Sequence, residues 1–453
     1  MSEQVDVVVV GLGPGGEYAA GALAEAGLDV VGIEAGLVGG ECPYWGCVPS
    51  KMMIRAGNAL AEAGRVPVLA GEGKAVPDWS RVAARVRSEA TDGWNDEAAA
   101  DRLTAKGVRL VRERGRLAGP RRVTVGDRTF EARRGVLLAT GSQPRIPPIP
   151  GLEGTPYWTN REAIEAAEMP ASLLVLGGGA IGVELAQVYA RFGCAVTVLE
   201  GGERLLAREE PEAGELAARA LRADGVTVRT GAGAVDFEHD GTAFEALLEG
   251  GLEPVRAERL LVATGRGSDL AALDVGTVGL DPAARTVPTD GQMRAAEGLW
   301  AVGDITGHGA FTHISMYQAQ IAVRDILGRP GRDADYRALP RVTFTDPEIG
   351  AVGITERQAR DRGMRVRTGL APIPESARGR IHGPGNAGFV KLVEDADRGV
   401  LVGATSAGPA GGEVLYGLNV AVHAETPTDL LKHMIYTYPT FHRAVETALH
   451  ALH

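Results

Sequence analysis

Val5-Asp6-Val7-Val8-Val9-Val10-Gly11-Leu12-Gly13-Pro14-Gly15-Gly16 is the stretch whose reading decides the fold. Asp6 apart, its first half is an apolar, β-branched run, the pattern of a strand buried on both faces. The second half is a G-x-G-x-x-G. An Ala-rich helical stretch, Tyr18 to Ala26, comes next, and a second strand, Asp29 to Ile33, ends on Glu34. This is a βαβ dinucleotide fingerprint. Its glycines allow a tight turn and close approach to a pyrophosphate, the helix N-terminus complements the negative charge, and the acid meets ribose hydroxyls.

The pattern returns. Leu173 to Leu176 reads as a strand and opens into Gly177-Gly178-Gly179-Ala180-Ile181-Gly182. A helix from Val183 to Arg191 follows, then a strand, Val196 to Leu199, ending on Glu200. The acid stands at the same distance from the first glycine in both copies, Gly11 to Glu34 and Gly177 to Glu200. One such motif is weak, since a glycine-rich turn imitates it. Two in equal register, each between a strand and a helix, predict two bound dinucleotides. Val136 to Ser142, an apolar strand running into Ala139-Thr140-Gly141, is echoed by Leu260 to Arg266 with Ala263-Thr264-Gly265. Pro144 to Pro150 reads as a stiff linker. Gly298 to Asp304 is a further strand ending on Gly-Asp, with His308 to Ile326 helical after a glycine-rich start. From Arg341 the pattern changes to short strands and then helices, with no nucleotide fingerprint.

Gly39-Gly40-Glu41-Cys42-Pro43-Tyr44-Trp45-Gly46-Cys47-Val48-Pro49-Ser50-Lys51 holds two of the three cysteines. A helix beginning at Pro43 makes Cys42 its N-cap, where the positive end of the helix dipole favours a thiolate. Cys47 and Lys51, at i and i+4, then share a face. Cys42 and Cys47 lie about 140° apart around an ideal helix, so bridging them needs a distorted first turn, which Gly46 and Pro49 permit. A strained, partly exposed pair is the reducible kind. The segment reads as a redox-active pair with a cation beside it.

Bulk properties narrow the classes. The 453 residues suggest about three domains. A net charge of −11 opposes nonspecific nucleic-acid binding and gives no support for an anionic membrane surface. No apolar run approaches the roughly 18 residues of a membrane span. Only Met1 to Gln4 precede the first strand, which leaves no room for a leader and points to the cytoplasm. Three cysteines make no disulfide scaffold, and in the cytosol a close pair is catalytic or metal-binding more often than structural.

Together these segments, with Val342-Thr343-Phe344-Thr345-Asp346-Pro347-Glu348, resemble the class I flavoprotein disulfide reductases, which include glutathione reductase, dihydrolipoamide dehydrogenase, mycothione reductase and mercuric reductase. The resemblance runs from Val5 to about Glu446. It implies an α/β protein with two Rossmann-like dinucleotide-binding domains, for FAD and NAD(P), and an α+β C-terminal dimerisation domain. The expected boundaries are 1–148 for the first part of the FAD domain, 149–268 for the NAD(P) domain, 269–335 for the return of the FAD domain and 336–453 for the interface domain. It implies FAD held by Gly11, Gly13, Gly16, Glu34, Gly40, Lys51, Gly115, Thr140, Gly141 and Asp304. It places the nicotinamide dinucleotide on Gly177, Gly179, Gly182, Glu200 and Gly265. By the same resemblance Cys47 faces the flavin and Cys42 meets the acceptor. Lys51 sits near the flavin N5 and pairs with Glu184, and Asp304 holds the ribityl chain. The implied assembly is a head-to-tail homodimer acting on a small-molecule acceptor, without nucleic acid or membrane. Glu200 accepts from a 2′-hydroxyl and repels a 2′-phosphate, favouring NADH over NADPH, although Arg204 four residues on offers a phosphate partner.

One segment departs from the family. Disulfide-reducing members end in His-Pro-Thr-x-x-Glu, the histidine serving as base and the glutamate orienting it. Here Tyr438-Pro439-Thr440-Phe441-His442-Arg443 puts Tyr438 at the histidine position and Arg443 at the glutamate position. A phenol with pKa about 10 is a poor acceptor of protons at neutral pH but a serviceable donor. His442 and Glu446, at i and i+4, offer a displaced dyad or a surface ion pair. Mercuric reductases also have tyrosine there, but they carry a C-terminal cysteine pair that this chain lacks. Tyr44 and Trp45 between the cysteines stack a flat acceptor or pack against a neighbouring domain. Cys194 reads as a buried structural thiol, and His308 and His313 as capping or packing residues, with no metal-ligand spacing anywhere. Arg378 and Arg380 read as surface charges. The expectation is an FAD-dependent NAD(P)H oxidoreductase that passes electrons through Cys42–Cys47 to an acceptor needing no histidine base: a quinone, a small electrophile or a metal ion. A dihydrolipoamide dehydrogenase or low-molecular-weight disulfide reductase is the alternative within the class. A redox-sensing flavoprotein subunit is the alternative outside it.

Overall fold

The computed structural model describes residues 2–453, which fall into two compact units. The first comprises Met1–Ser50, Ala84–Arg145 and Gly265–Asp335. Its centre is the valine run, strand Ser2–Val10, with Val5, Val7, Val8 and Val9 wholly buried. That strand lies parallel to Val30–Glu34 on one side and to Arg128–Leu138 on the other. Arg109–Arg112 extends the sheet beyond Val30–Glu34, and Leu299–Ala301 extends it beyond Arg128–Leu138, both parallel. Arg294–Ala296 closes the edge antiparallel, and a meander through Gly115–Leu117 and Arg122–Val125 joins Arg128–Leu138. Parallel strands buried on both faces need helical crossovers, and their sequences run apolar without alternation. Helices Pro14–Glu25 and Thr312–Ile326 pack on each other so closely that a Cβ at Gly15 would meet Ser315 Oγ at 2.3 Å.

The second unit comprises Lys51–Ala83, Ile146–Thr264 and Tyr336–His453. It repeats the theme in a four-stranded parallel sheet in the order Thr227–Thr230, Ala195–Glu200, Ser172–Leu176, Arg259–Val262. A three-stranded antiparallel layer, Ala234–His239, Phe244–Leu248 and Val255–Ala257, shares a core with it through Phe237, Phe244 and Leu248. The last block is a five-stranded antiparallel sheet in the order Pro340–Thr343, Glu348–Gly353, Val400–Gly408, Phe389–Asp395, Val366–Pro372. Helices Gly411–His423 and Arg443–His450 cover one face of it, with Val414, Leu415, Leu418, Ala448 and Leu449 in the seam. The fold is therefore the mixed α/β architecture expected. Among the described residues no helix is long and apolar enough to cross a membrane.

Three local expectations are corrected. Pro144 to Pro150 is not wholly a linker, because Gln143–Pro144 pairs antiparallel with Arg266–Gly267. Proline tolerates this place since it lends only its carbonyl side to an edge. Cys42 is not an N-cap. Helix Glu41–Tyr44 starts two residues earlier than expected, with Gly40 as its cap at φ 66°. Nor does one helix carry both cysteines: the first ends at Trp45 and a new one runs from Cys47 to Leu69. Pro49 dictates the break. It has no N–H for the Trp45 carbonyl, and its ring would clash there if the helix ran through. In the first turn of the second helix the same proline costs nothing.

Candidate functional site

The first cradle lies where strand Ser2–Val10 gives way to helix Pro14–Glu25. Gly11 has φ 89°, and a Cβ there would stand 2.5 Å from the Ala139 carbonyl, so the Thr140 turn sits directly against the glycine loop. No side chain caps the helix at Gly13, and a Cβ there would meet nothing within 4 Å. Gly40 closes in on the same point, its notional Cβ 2.9 Å from Gly13 Cα. Glu34 accepts from Leu12 N at 2.6 Å through one oxygen and from Gly36 N at 2.7 Å through the other, which leaves lone pairs for hydroxyls. Asp304 follows Gly303 at the end of strand Leu299–Ala301. Burial pushes its carboxyl above the ordinary range, and it accepts from the Ser142 hydroxyl. Arg266 Nε donates to that same hydroxyl oxygen at 2.9 Å, and its guanidinium stands 3.6 Å from Glu41. Buried Gln318 accepts from Gly303 N at 2.6 Å and so holds the turn. Ser142, Arg266 and Gln318 escaped the sequence reading. Arg266 sits right after the Ala-Thr-Gly echo, a signal that was there to weigh. Gly115 is different: it is buried in its strand, where a Cβ would press on Ile33 and Val123, so packing accounts for the glycine.

The second cradle repeats the main contacts of the first. Gly177 has φ 113°, with its notional Cβ 2.5 Å from the Ala263 carbonyl beside Thr264 and Gly265. Gly182 packs against the Gly177 carbonyl. Helix Ala180–Arg191 is likewise uncapped by any side chain, and Gly179 faces open space. Glu200 takes Gly178 N and Gly202 N, each at 2.7 Å. Two uncapped helix N-termini with bare glycine faces fit dinucleotide pyrophosphates, whose oxygens would satisfy the orphan N–H groups. Arg204 is not poised for a phosphate. Its guanidinium is spent on the carbonyls of Leu206, Ala207 and Glu209 at 2.9–3.1 Å.

Cys42 lies in the short helix and Cys47 opens the long one, so the thiol at a helix start is Cys47. A hydrogen bond to Cys47, followed by burial, pushes the Cys42 thiol well above its ordinary pKa, against a smaller downward pull from the Thr312 hydroxyl. Thr312, first residue of helix Thr312–Ile326, brings its hydroxyl to 3.4 Å from Cys47 Sγ. Tyr44 is a packing residue: it is buried, and its hydroxyl donates to the Val38 carbonyl at 3.1 Å. Trp45 is half-buried and tilted against it. Cys194 is buried, which pushes its thiol up to about 12. His313 stacks on Phe311.

In the second unit Lys51 Nζ donates to Glu184 Oε2 at 2.8 Å and lies 4.7 Å from the centre of the Phe344 ring. Glu184 accepts from Phe344 N through its other oxygen, and Gln187, one turn along, accepts from Asp346 N. The Asp346 carboxylate receives Arg65 at 2.7 Å and Arg191 at 2.8 Å. Helix Ala180–Arg191 thus grips Phe344 and Asp346 by backbone and side chain, and Phe344 covers Lys51. Phe344 and Asp346 were quoted as part of a motif, but nothing in their spacing revealed this use.

Tyr438 is 69% exposed, and the Arg443 guanidinium lies 5.9 Å from its ring centre. Arg443 also pairs with Glu446. The displaced His442–Glu446 dyad is therefore not assembled: the exposed His442 precedes the helix, and its intended carboxylate belongs to Arg443. Arg378 stacks on Phe441, 5.4 Å from the ring centre, and is half-buried rather than a free surface charge.

Comparison with known proteins finds one family along nearly the whole chain. Residues 5–325 match the family described as pyridine nucleotide-disulphide oxidoreductase, and residues 339–449 match its dimerisation domain. A dihydrolipoyl dehydrogenase from Chlorobaculum tepidum is 33% identical over 99% of this chain and 97% of its own length. A mercuric reductase from Staphylococcus aureus is 31% identical over 92% of this chain and 77% of its own. Among solved structures, a Cu(II) complex of the HOCl-induced flavoprotein disulfide reductase RclA from Escherichia coli aligns with TM-score 0.86 at 26% identity, covering 99% of each chain. LpdA from Mycobacterium tuberculosis aligns with TM-score 0.85 at 26% identity over 98% of this chain and 99% of its own.

Proposed function

The chain belongs to the pyridine nucleotide-disulphide oxidoreductases, and from that premise we propose that it carries reducing equivalents from NADH through Cys42 and Cys47 to an acceptor whose reduction needs no histidine base. It is an FAD-dependent enzyme that uses NAD(P)H, as the family does. Bound FAD would supply the two-electron redox chemistry that links the nicotinamide to the sulfur pair. The glycine loops at Gly11–Gly16 and Gly177–Gly182 hold the two pyrophosphates, and Glu34 and Glu200 hold the adenosine riboses. Asp304, desolvated and anchored by Ser142, holds a hydroxyl of the flavin side chain. Glu184 aims the Lys51 ammonium. NADH is preferred, because Glu200 is a carboxylate and the neighbouring arginine is occupied by carbonyls.

The observation that carries the acceptor reading is the C-terminal segment. A phenol stands where relatives place an imidazole, and Glu446 is tied to Arg443. General acid–base help contributes about 10²–10⁴-fold, so an ordinary disulfide would be reduced slowly. A quinone, a small electrophile or a metal ion needs no such base, and Tyr438 serves such an acceptor as a hydrogen-bond donor. A homodimer is supported by the dimerisation domain and by apolar side chains exposed on it, among them Tyr416, Leu430, Met434 and Ile435. Full-length likeness to dihydrolipoyl dehydrogenases supports the second reading, reduction of lipoamide or a small disulfide. An anaerobic NADH titration followed by an acceptor screen separates the two. Turnover with quinones far above that with lipoamide or glutathione disulfide is expected. Lipoamide turnover matching that of histidine-bearing relatives would overturn the leading reading.

A further inference from the structure

We propose that Trp94 is a positioning residue for the sulfur pair: its indole N–H caps the short helix that carries Cys42 and so maintains the break that lets Cys42 and Cys47 meet. The inference rests on the reading of those two cysteines as the redox pair.

The acceptor of that N–H is specific. Helix Glu41–Tyr44 has four residues and closes one turn, from Trp45 N to the Glu41 carbonyl at 2.8 Å. The last carbonyls of a helix have no partner within it. That of Tyr44 accepts from Trp94 Nε1 at 3.2 Å. Were the helix continuous, this carbonyl would take the amide of Val48, four residues on. The indole thus satisfies from outside the group that a merged helix would satisfy from within. It stabilises the broken form, and the broken form is the one in which the two sulfurs can bond.

The turn that presents the indole is strained. Asp92, Gly93 and Trp94 lie one after another in the left-handed region, at φ 49°, 65° and 59°. Glycine is at ease there and aspartate tolerates it, whereas a bulky side chain rarely adopts it. Such strain persists only where the surroundings hold it. Here the Thr91 hydroxyl donates to the carbonyls of Val86 and Arg87, each at 3.1 Å, and Gly93 N donates to the Arg87 carbonyl at 2.6 Å. The Arg87 guanidinium lies over the indole, 5.9 Å from the ring centre. Two residues beyond Trp94, the buried Asp96 accepts from Val38 N at 2.6 Å, and the Val38 carbonyl accepts from the Tyr44 hydroxyl at 3.1 Å. One turn therefore fastens both ends of the run from Val38 to Tyr44, with Cys42 inside it. Packing alone would be served by a large apolar side chain in an ordinary conformation. The bond to Tyr44 needs an indole N–H where the left-handed turn puts it.

The test uses the holoenzyme equilibrated with reduced and oxidised glutathione. Two glutathione thiols give one glutathione disulfide as the Cys42–Cys47 bond opens to a dithiol, and free thiols are counted by alkylation and mass. Trp94→Phe keeps an aromatic ring and removes the donor. A dithiol tolerates separated sulfurs and a disulfide does not, so the dithiol form should gain about fivefold, a rise of about 20 mV in potential. Bound flavin and its visible spectrum should be retained. Trp94→Gly removes the donor and relieves the strain of the turn. It should move the potential the same way, and it carries the test if the phenylalanine variant fails to fold. Arg87→Ala loosens the ring but leaves its N–H, and should leave the potential unchanged. An unchanged potential in the Trp94 variants, or an equal shift in Arg87→Ala, overturns this inference and leaves the proposed function standing. A wild-type protein in which Cys42 and Cys47 never join across the titration overturns the assignment of the redox pair, and this inference with it.

Discussion

At the scale of single residues the proposed departure from the disulfide-reducing members of the family lies at Tyr438 and Arg443. Tyr438→His combined with Arg443→Glu restores a base and the carboxylate that orients it. Because acid–base assistance is worth about 10²–10⁴-fold, the double variant should gain at least about tenfold in lipoamide or glutathione disulfide reduction. Its quinone turnover should stay within a factor of about three. Steady-state rates with the two acceptor classes check this, and an unchanged disulfide rate would argue that the missing base is not what limits the enzyme. The proposed preference for NADH also rests on single residues. Glu200→Gln removes the charge that repels a 2′-phosphate and should narrow the NADH preference about tenfold in kcat/KM. Arg204→Ala should leave that preference unchanged, because the guanidinium serves the carbonyls of Leu206, Ala207 and Glu209. A joint loss of NADPH use in the alanine variant would show that it reaches the phosphate after all.

The element that matters most is the broken helix from Glu41 to Leu69. Its break lies at Trp45 and Gly46, and a Cβ at Gly46 would stand 3.0 Å from the Glu41 carbonyl, so the chain folds tightly back on itself there. Restoring a helix former at 49 removes the reason for the break. In Pro49→Ala the two helices can merge, which carries Cys42 and Cys47 toward the 140° separation of a regular helix and opposes the disulfide. The dithiol form should then gain about tenfold in a glutathione redox titration, a rise of about 30 mV in potential. An unaltered titration would place the cause of the break elsewhere, in the packing of Tyr44 beneath Val38 and Trp94.

At the scale of the molecule, the second unit contains a charge cluster in which Lys391 and Glu210 are buried while Glu212 and Glu356 reach solvent. Lys391, on the strand Phe389–Asp395, meets Glu210 at 3.0 Å, Glu212 at 2.8 Å and Glu356 at 3.1 Å, with its own side chain 6% exposed. Burial opposes the ammonium, but the three carboxylates outweigh it and hold its pKa above the ordinary lysine value. Removing one partner of a buried ion pair costs about 3–5 kcal/mol because it strands the other, and here the stranded buried charge is Glu210, since Glu212 and Glu356 reach solvent. Lys391→Met should therefore lower the thermal midpoint by several degrees without altering the flavin spectrum, as read by calorimetry. Ile435, 98% exposed on the dimerisation domain, tests assembly. Ile435→Asp should shift the protein from dimer to monomer in analytical ultracentrifugation, and a persisting dimer would remove this face from the interface.

The two dinucleotide folds were legible in the chain because their signal is local. A β-branched run, a glycine loop and an acid at the end of the next strand all lie within one βαβ unit, and backbone sterics leave few alternatives. The sulfur pair and its lysine were legible for the same reason, as neighbours along the chain. The pair between Lys51 and Glu184 was expected from the family resemblance, but spacing along the chain did not yield most contacts between segments far apart in number. Thr312 against Cys47, Phe344 over Lys51, Arg266 on Ser142, and the capture of Glu446 by Arg443 rather than His442 all depend on which helix packs where. Even the break before Cys47 was half visible: Pro49 announced a distortion, but its position, and so which cysteine begins a helix, was settled by the competition between a missing amide hydrogen and the packing of the turn ahead of it. Short-range patterns are written in spacing, whereas long-range juxtapositions are the outcome of packing an entire core, and no single segment encodes that outcome.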